Sequence, residues 1–408
     1  MVRRNHMVKL MIINNYSEQG LIGNPEFPGI DKDTAVKNKF EDLLADYQRE
    51  AQVCGDDLQC IQDKFLKSPL AVFLKELFYT RTNKCFIEPT VVEKFKGIMI
   101  HSPAAYKSGM KVRDDFDKLQ EKNGKKVPKV VDTHFIIDGN TGNIYNLLPL
   151  NYKANHCGRA VDKNGYLSFN GEYMAIDIGE PSGLTYHGKK DEIILAEVYS
   201  KEIKASGAGN FSRYLKKEAE KKGVKSRDYM NTLIKERQEE YNKVKDKKEA
   251  IWKENQLTTE KINSGYNSGY TIHDNRVYEI TNYEAVKEGT TKSYEAAVEL
   301  CAFLCMKFGF NPLQEGYKGK HYEENGVVKY VTLKEQAPNV IISHQEGYIM
   351  FHKASNHGDP ISIWKVCLRN DLTMDTFRAA VETKKSELER NNIVHPMFDL
   401  ICQPRFPQ

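Results

Sequence analysis

Apolar residues recur at spacings of three and four through much of residues 33–80, notably in FEDLLADYQREAQ and DLQCIQDKF, and this predicts amphipathic helices. Ser68-Pro69 supplies a cap and a first-turn proline for the next apolar stretch, LAVFLKELF. From Lys96 the pattern changes to short apolar runs bounded by turn residues: GIMIHS, THFIIDGNTGNIYNLLPL, EYMAIDIG and, much later, APNVIISH. These read as strands, and Asp138, Gly139, Asn140 and Gly142 mark a hairpin turn in the second of them. A helix is expected in SYEAAVELCAFLCMKFGF, capped by Ser293 and stopped by Gly309 and Asn311-Pro312. Thr373 caps a last helix, MDTFRAAVETKKSELE, ahead of an irregular tail.

Strands with helices between them indicate an α/β domain. Three regions follow: a mainly helical N-terminal region over 1–95, an α/β domain over 96–367, and a C-terminal helix and tail over 368–408. The α/β domain is interrupted at about 183–290 by a Lys/Glu-rich helical insertion. Met230, Ile234, Tyr241, Val244 and Ile251 stand there at roughly heptad spacing, which reads as a helical hairpin.

Composition narrows the function classes. A net charge of +4 over 408 residues gives no whole-protein argument for nucleic acid or membrane. The basic character sits in one segment: residues 201–255 carry 16 Lys/Arg against 10 Asp/Glu, leaving about −2 for the rest. That segment reads as a solvated helical face, with a grip on an anionic polymer such as the cell wall as its functional alternative. No apolar run reaches the roughly 18 residues of a membrane span. The apolar stretch Val8–Ile13, broken by Lys9, is too short for a signal peptide, so synthesis in the cytoplasm is expected. Eight cysteines without a CxxC pair argue against a disulfide framework or a zinc ribbon; reduced thiols are expected, with Cys301 and Cys305 in the core.

Acid/base and metal-capable residues fall at the ends of the expected strands: His101 in IMIHS, Asp177 in MAIDIG and His344 in VIISH. His357 and Asp359 lie together in NHGDP. Each histidine alone is better read as a satisfied structural residue. As a set, His101, His344 and Asp359 match the three-ligand demand of catalytic zinc, although the spacing carries no compact motif.

The order of these segments resembles the type-2 N-acetylmuramoyl-L-alanine amidase family, which includes phage endolysins, muropeptide-recycling amidases and peptidoglycan recognition proteins. GIMIHSPA resembles its first strand with a zinc histidine, THFIIDGNTGNIYNLLPL its His-Phe hairpin, and NHCG its substrate-groove segment. MAIDIG, NVIISHQEG and ASNHGDPISIW follow in the family's order. The resemblance implies a central mixed sheet flanked by helices and a Zn2+ ion on His101, His344 and Asp359. It also implies Asp177 and His357 as catalytic residues, and His134, Tyr145 and His156 in the substrate groove. Asp177 stands where many members carry Glu, His357 where many carry Lys, and Thr133 where some carry a catalytic Tyr. The implied partner is bacterial peptidoglycan, cut between N-acetylmuramic acid and L-alanine by an endolysin-like or recycling enzyme.

Two other classes compete. One is a non-catalytic peptidoglycan-binding protein of the same fold. The other is a nucleic-acid arm on the basic insertion, with Tyr214, Tyr229, Tyr241 and Trp252 as stacking residues. A Cys157 nucleophile beside His156 is disfavoured, because adjacent residues on an extended chain face opposite ways.

Overall fold

The structure is a computed structural model. It describes residues 34–55, 57–73, 95–102, 119–122, 125–128, 133–142, 144–146, 153–156, 169–273, 275–314, 321–324, 327–330, 340–344, 346, 364–365 and 372–390. The chain divides into two compact units, one of residues 1–181 and 288–408 and one of residues 182–287.

The first unit is mixed α/β. Its strands are β1 (Gly97–His101), β2 (Leu119–Lys122), β3 (Lys125–Pro128), β4 (Phe135–Ile137), β5 (Ile144–Asn146) and β6 (Tyr173–Ile178). In the second unit lie β7 (Leu184–Lys189), β8 (Gly269–His273) and β9 (Arg276–Ile280); the first unit resumes with β10 (His321–Glu324), β11 (Val327–Tyr330) and β12 (Ile341–Ser343). Five of these make one sheet in the order β12-β1-β6-β4-β5, parallel throughout except for the β4–β5 hairpin. Strands covered on both faces need apolar residues on both, and every residue of β1 and of β6 is buried. The hairpin turn is built by Asp138, whose Oδ1 accepts from the backbone N–H groups of Asn140 and Thr141, with Gly142 at φ +71°.

Strand alternation separates the two faces of this sheet. Ile98 and Ile100 of β1, Met174, Ile176 and Ile178 of β6, and Ile341 of β12 enter one large core. Helices α10 (Tyr283–Phe308) and α11 (Met374–Arg390) belong to the same core through Ala297, Leu300, Leu304, Phe377 and Val381. Trp364 is clasped between Phe377, stacked at 5.2 Å, and Tyr294, edge-on at 5.0 Å. Met99, His101, Ala175 and Asp177 therefore point to the other face.

The N-terminal helices, α1 (Thr34–Ala51) and α2 (Leu58–Lys67), share this core through Tyr47, Ala51, Phe65 and the residues Leu70 and Ala71 that follow. Ser68 caps the turn after α2, its Oγ accepting from Ala71 N–H at 3.1 Å. Cys54 and Cys60 form a disulfide, which corrects the expectation of reduced thiols at those positions. Cys301 and Cys305 are free and buried in the core, as expected. Ser293 does not cap a helix: α10 already begins at Tyr283, Asn282 accepts from Ala285 N–H, and the Ser293 hydroxyl donates to the Thr290 carbonyl. At the other end Gly309 takes φ +66° and Phe310 N–H closes onto the Cys305 carbonyl, terminating α10 where expected. Thr373 and Thr376 exchange reciprocal side-chain and backbone hydrogen bonds at the start of α11.

The second unit departs from the expected helical hairpin. A short helix, α3 (Phe169–Glu172), leads into β6 in the first unit; the second unit itself holds α4 (Lys190–Val198), α5 (Ser200–Ala205), α6 (Phe211–Lys221), α7 (Ser226–Glu236), α8 (Gln238–Glu254) and α9 (Thr259–Asn263). It also holds an antiparallel sheet in the order β7-β9-β8. Asn275, at φ +61°, lies in the two-residue connection between β8 and β9. The unit has its own core, which takes in Tyr241 and has Met230, Ile234 and Val244 of the expected seam packed against it. Tyr214, Tyr229, Tyr241 and Trp252 are 8%, 6%, 6% and 4% exposed and lie inside it, whereas Ile251 is exposed. Some of the basic charge is paired internally: Lys248 with Glu197 at 2.7 Å, Arg237 with Glu202, and Lys190 with Glu249 at 3.4 Å. No helix among the described residues is long and apolar enough to cross a membrane.

Candidate functional site

The site begins with sheet register. Ile100 of β1 pairs with Ser343 of β12, so His344, the residue that follows β12, comes out beside His101. On the other side of β1, His101 pairs with Asp177 of β6. Three side chains separated in sequence by 76 to 243 residues thus come together at the C-terminal ends of neighbouring parallel strands. Strands in a sheet lie about 4.8 Å apart, so the row spans roughly 10 Å. All three are buried, and the His101 and His344 rings approach to 4.5 Å between centroids.

Beyond β12 the chain makes a reciprocal cap. Ser343 N–H donates to Glu346 Oε2 and Glu346 N–H donates to Ser343 Oγ, both at 3.1 Å, with His344 just inside. Arg378 of α11 locks this turn, donating from Nε to the Ile341 carbonyl at 2.8 Å and pairing with Glu346 at 2.6 Å. The guanidinium is buried, so a charged side chain on a helix holds the strand end that carries His344.

His156 joins the row from the segment 153–156. Its Nδ1 lies 2.8 Å from His101 Nε2, and its Nε2 lies 3.2 Å from the Tyr173 carbonyl. Its own backbone N–H donates to Asn170 Oδ1 at 3.0 Å. Ala154, two residues earlier, packs on Ala175, which places this segment against the face that carries His101 and Asp177. Sequence reasoning put His156 in a substrate groove; the structure puts it in direct contact with His101.

His134 is wholly buried and serves as a bracket between β4 and β6. Its backbone N–H donates to the Ala175 carbonyl, its Nδ1 accepts from Ala175 N–H at 2.9 Å, and Phe95 meets its ring edge-on. Its Nδ1 is thus spent on the backbone of the neighbouring strand, whereas the sequence reading put the residue in a substrate groove. Thr133 is equally buried, its hydroxyl directed at the carbonyls of Phe135 and Ala175. The Tyr145 backbone pairs with Ile136 in the hairpin, and its side chain lies outside the described residues. His357 and Asp359 also lie outside them.

Two buried imidazoles at the ends of adjacent strands, one of them held by a neighbouring histidine, are of a type that suits zinc. Among the described residues no group of three His, Cys, Asp or Glu forms a metal site; the third expected ligand, Asp359, is not among them. His101 and His344 are the two described residues whose donor type and proximity would suit a metal.

No protein-family model matches the chain, and no curated protein or solved structure matches it.

Proposed function

We propose that this chain is a zinc-dependent N-acetylmuramoyl-L-alanine amidase of the type-2 family's fold, acting on bacterial peptidoglycan. The observation that carries the reading is the convergence of His344, His101 and Asp177 on one end of β12, β1 and β6. In this reading His101, His344 and Asp359 hold Zn2+, which supplies a Lewis acid and a water acidified enough to ionise near neutral pH. Asp177, one strand from His101, takes the water's proton and returns it to the departing L-alanine nitrogen, since an amine anion is a very poor leaving group. His357 donates to the oxygen of the lactyl carbonyl as charge builds on it. A nucleic-acid arm on the second unit loses its support, because its four aromatic rings are packed inside a core.

Release of new amino groups from purified peptidoglycan tests this directly. Wild type should release them, lose activity to a chelator and regain it with zinc. Asp359→Ala should be inactive at every zinc level, and Asp177→Asn should bind zinc yet cut at least about 100-fold more slowly. Peptidoglycan binding without cleavage, with zinc supplied, would refute the enzyme and favour a binding protein of the same fold.

A further inference from the structure

The second unit carries a cavity of its own, at the end of the β8–β9 hairpin where Gly269 pairs with Ile280. It measures about 430 Å³ and is lined by Asn255, Lys261, Tyr266, Ser268, Tyr270 and Glu279, among others. Small-molecule sites run from about 300 to 1,000 Å³. Tyr270 and Glu279 are direct partners across β8 and β9, so their side chains stand on one face of the sheet. The chain leaving α8 is zipped onto the start of β8: Tyr270 N–H donates to the Asn255 carbonyl and Leu257 N–H to the Tyr270 carbonyl, both at 2.8 Å. Gly269 permits this approach, because a Cβ there would come within 2.6 Å of the Asn255 carbonyl oxygen. Tyr266 is anchored to α9 through its N–H, which donates to the Lys261 carbonyl at 3.0 Å, and the Lys261 ammonium lies 6.0 Å from its ring centroid.

The charges of this lining select against ions. Lys261 Nζ donates to the Glu254 carbonyl at 2.6 Å, and Glu279 meets His187 Nε2 at 2.8 Å. An anion drawn to the ammonium would face the carboxylate, and a cation drawn to the carboxylate would face the ammonium. A neutral ligand rich in hydroxyls escapes that conflict, since each hydroxyl can accept from one group and donate to the other. Tyr266 adds a second criterion. Its ring is 58% exposed although its backbone is fixed, so a flat apolar face is presented to water beside polar groups. Aromatic faces are electron-rich and attract the weakly positive C–H groups on the face of a pyranose ring. We infer that this cavity is a binding site for a neutral saccharide, with Tyr266 as the stacking platform and Lys261, Glu279 and Ser268 as partners of its hydroxyls. The inference rests on the second unit alone and stands or falls separately from the zinc reading.

The test is calorimetric titration of the full chain with two neutral probes, the N-acetylglucosamine tetramer and cellotetraose, with saturation-transfer NMR to show which sugar protons touch the protein. Wild type should bind at least one of them saturably, with the strongest transfer to the C–H protons of one ring face. Tyr266→Ala, at an exposed position that leaves the core intact, should weaken binding at least about 5-fold, and Tyr266→Phe should stay within about 2-fold of wild type. Glu279→Ala should weaken it about 10-fold, because a charge-assisted hydrogen bond is lost. Val224→Ala, exposed in the same unit but outside the cavity, should bind as wild type does. A chelator should change nothing, which separates this site from any metal centre in the first unit. Failure of both sugars to bind at millimolar concentration overturns the inference, as does equal affinity in wild type and Tyr266→Ala. Displacement of the sugar by inorganic phosphate would reveal an anion site at Lys261 and overturn it as well.

Discussion

Replacing Arg378 should cost more stability than any other single truncation of a polar side chain in α11. Its guanidinium is buried and makes three contacts: Nε to the Ile341 carbonyl at 2.8 Å, one amino group to Glu346 at 2.6 Å and the other to Asp375 at 2.8 Å. The Asp375 carboxylate is 78% exposed, so that pair adds little. The other two contacts decide the outcome. Arg378→Ala strips a buried carbonyl of its charged donor, about 1–3 kcal/mol, and leaves Glu346 without its counter-charge beside a packed strand end. Breaking a buried pair from one side generally costs about 3–5 kcal/mol, and partial exposure of Glu346 places this case near 3. Urea unfolding followed by tryptophan fluorescence measures it, because the chain has two tryptophans, Trp364 in the first unit and Trp252 in the second. In a Trp252→Phe background the signal reports the first unit alone. A loss under about 1 kcal/mol would show that Arg378 does not clamp β12, and the account of how His344 is positioned would fail with it.

The remaining predictions concern packing, cross-linking and ionisation in the same unit. Gly289→Ala should destabilise despite alanine's better helix propensity of about 1 kcal/mol, because its Cβ would strike the Gly139 carbonyl oxygen; we expect a net loss of about 1–2 kcal/mol, and equal or greater stability in urea would contradict the close crossing. Opening the Cys54–Cys60 loop, with a sequence separation of 6, by a double Cys→Ser change should cost on the order of 2 kcal/mol, checked by the shift in urea midpoint under non-reducing conditions. Burial pushes the Cys305 thiol up from 9.0 to about 12 and the Tyr47 phenol up from 10.0 to about 12. A raised acid pKa means that the folded state holds the proton more tightly, so stability is complete below pH 9 and falls as pH rises from 9 towards 12. Unfolding midpoints measured across that window should decline, less steeply in Cys305→Ala; a flat profile would contradict the burial of both groups.

Where local rules act alone, the sequence was legible. GIMIHS, EYMAIDIG and VIIS are apolar without interruption, as strands covered on both faces must be, and they form β1, β6 and β12. The Asp138 turn, the Thr373 cap and the Gly309 stop are set by a few neighbouring atoms, and each is found where it was read. Ser293 misled because a capping residue and a mid-helix serine look alike when the preceding turn, YEAVKEGTTK, is polar enough to pass for a loop. The helices of the second unit are there, but its sheet was missed for a related reason. Its Lys/Glu-rich stretches dominate the pattern, and the short alternating runs GYTIH and RVYEI, joined by Asp-Asn, were the signal for the hairpin that went unread.

By itself, then, the sequence determined the apolar strands, their turns and caps, and which residues are chemically able to act. Tertiary structure alone decided which of those residues meet. His101, Asp177 and His344 are joined by parallel register, a pairing between distant segments that no local spacing encodes. The same packing separates four histidines that look alike in sequence. His134 is spent on the Ala175 backbone, His101 and His344 face each other, and His156 reaches His101 because Asn170 and Tyr173 hold it there. A histidine's role follows from what each of its two nitrogens touches, and only the folded chain supplies those partners.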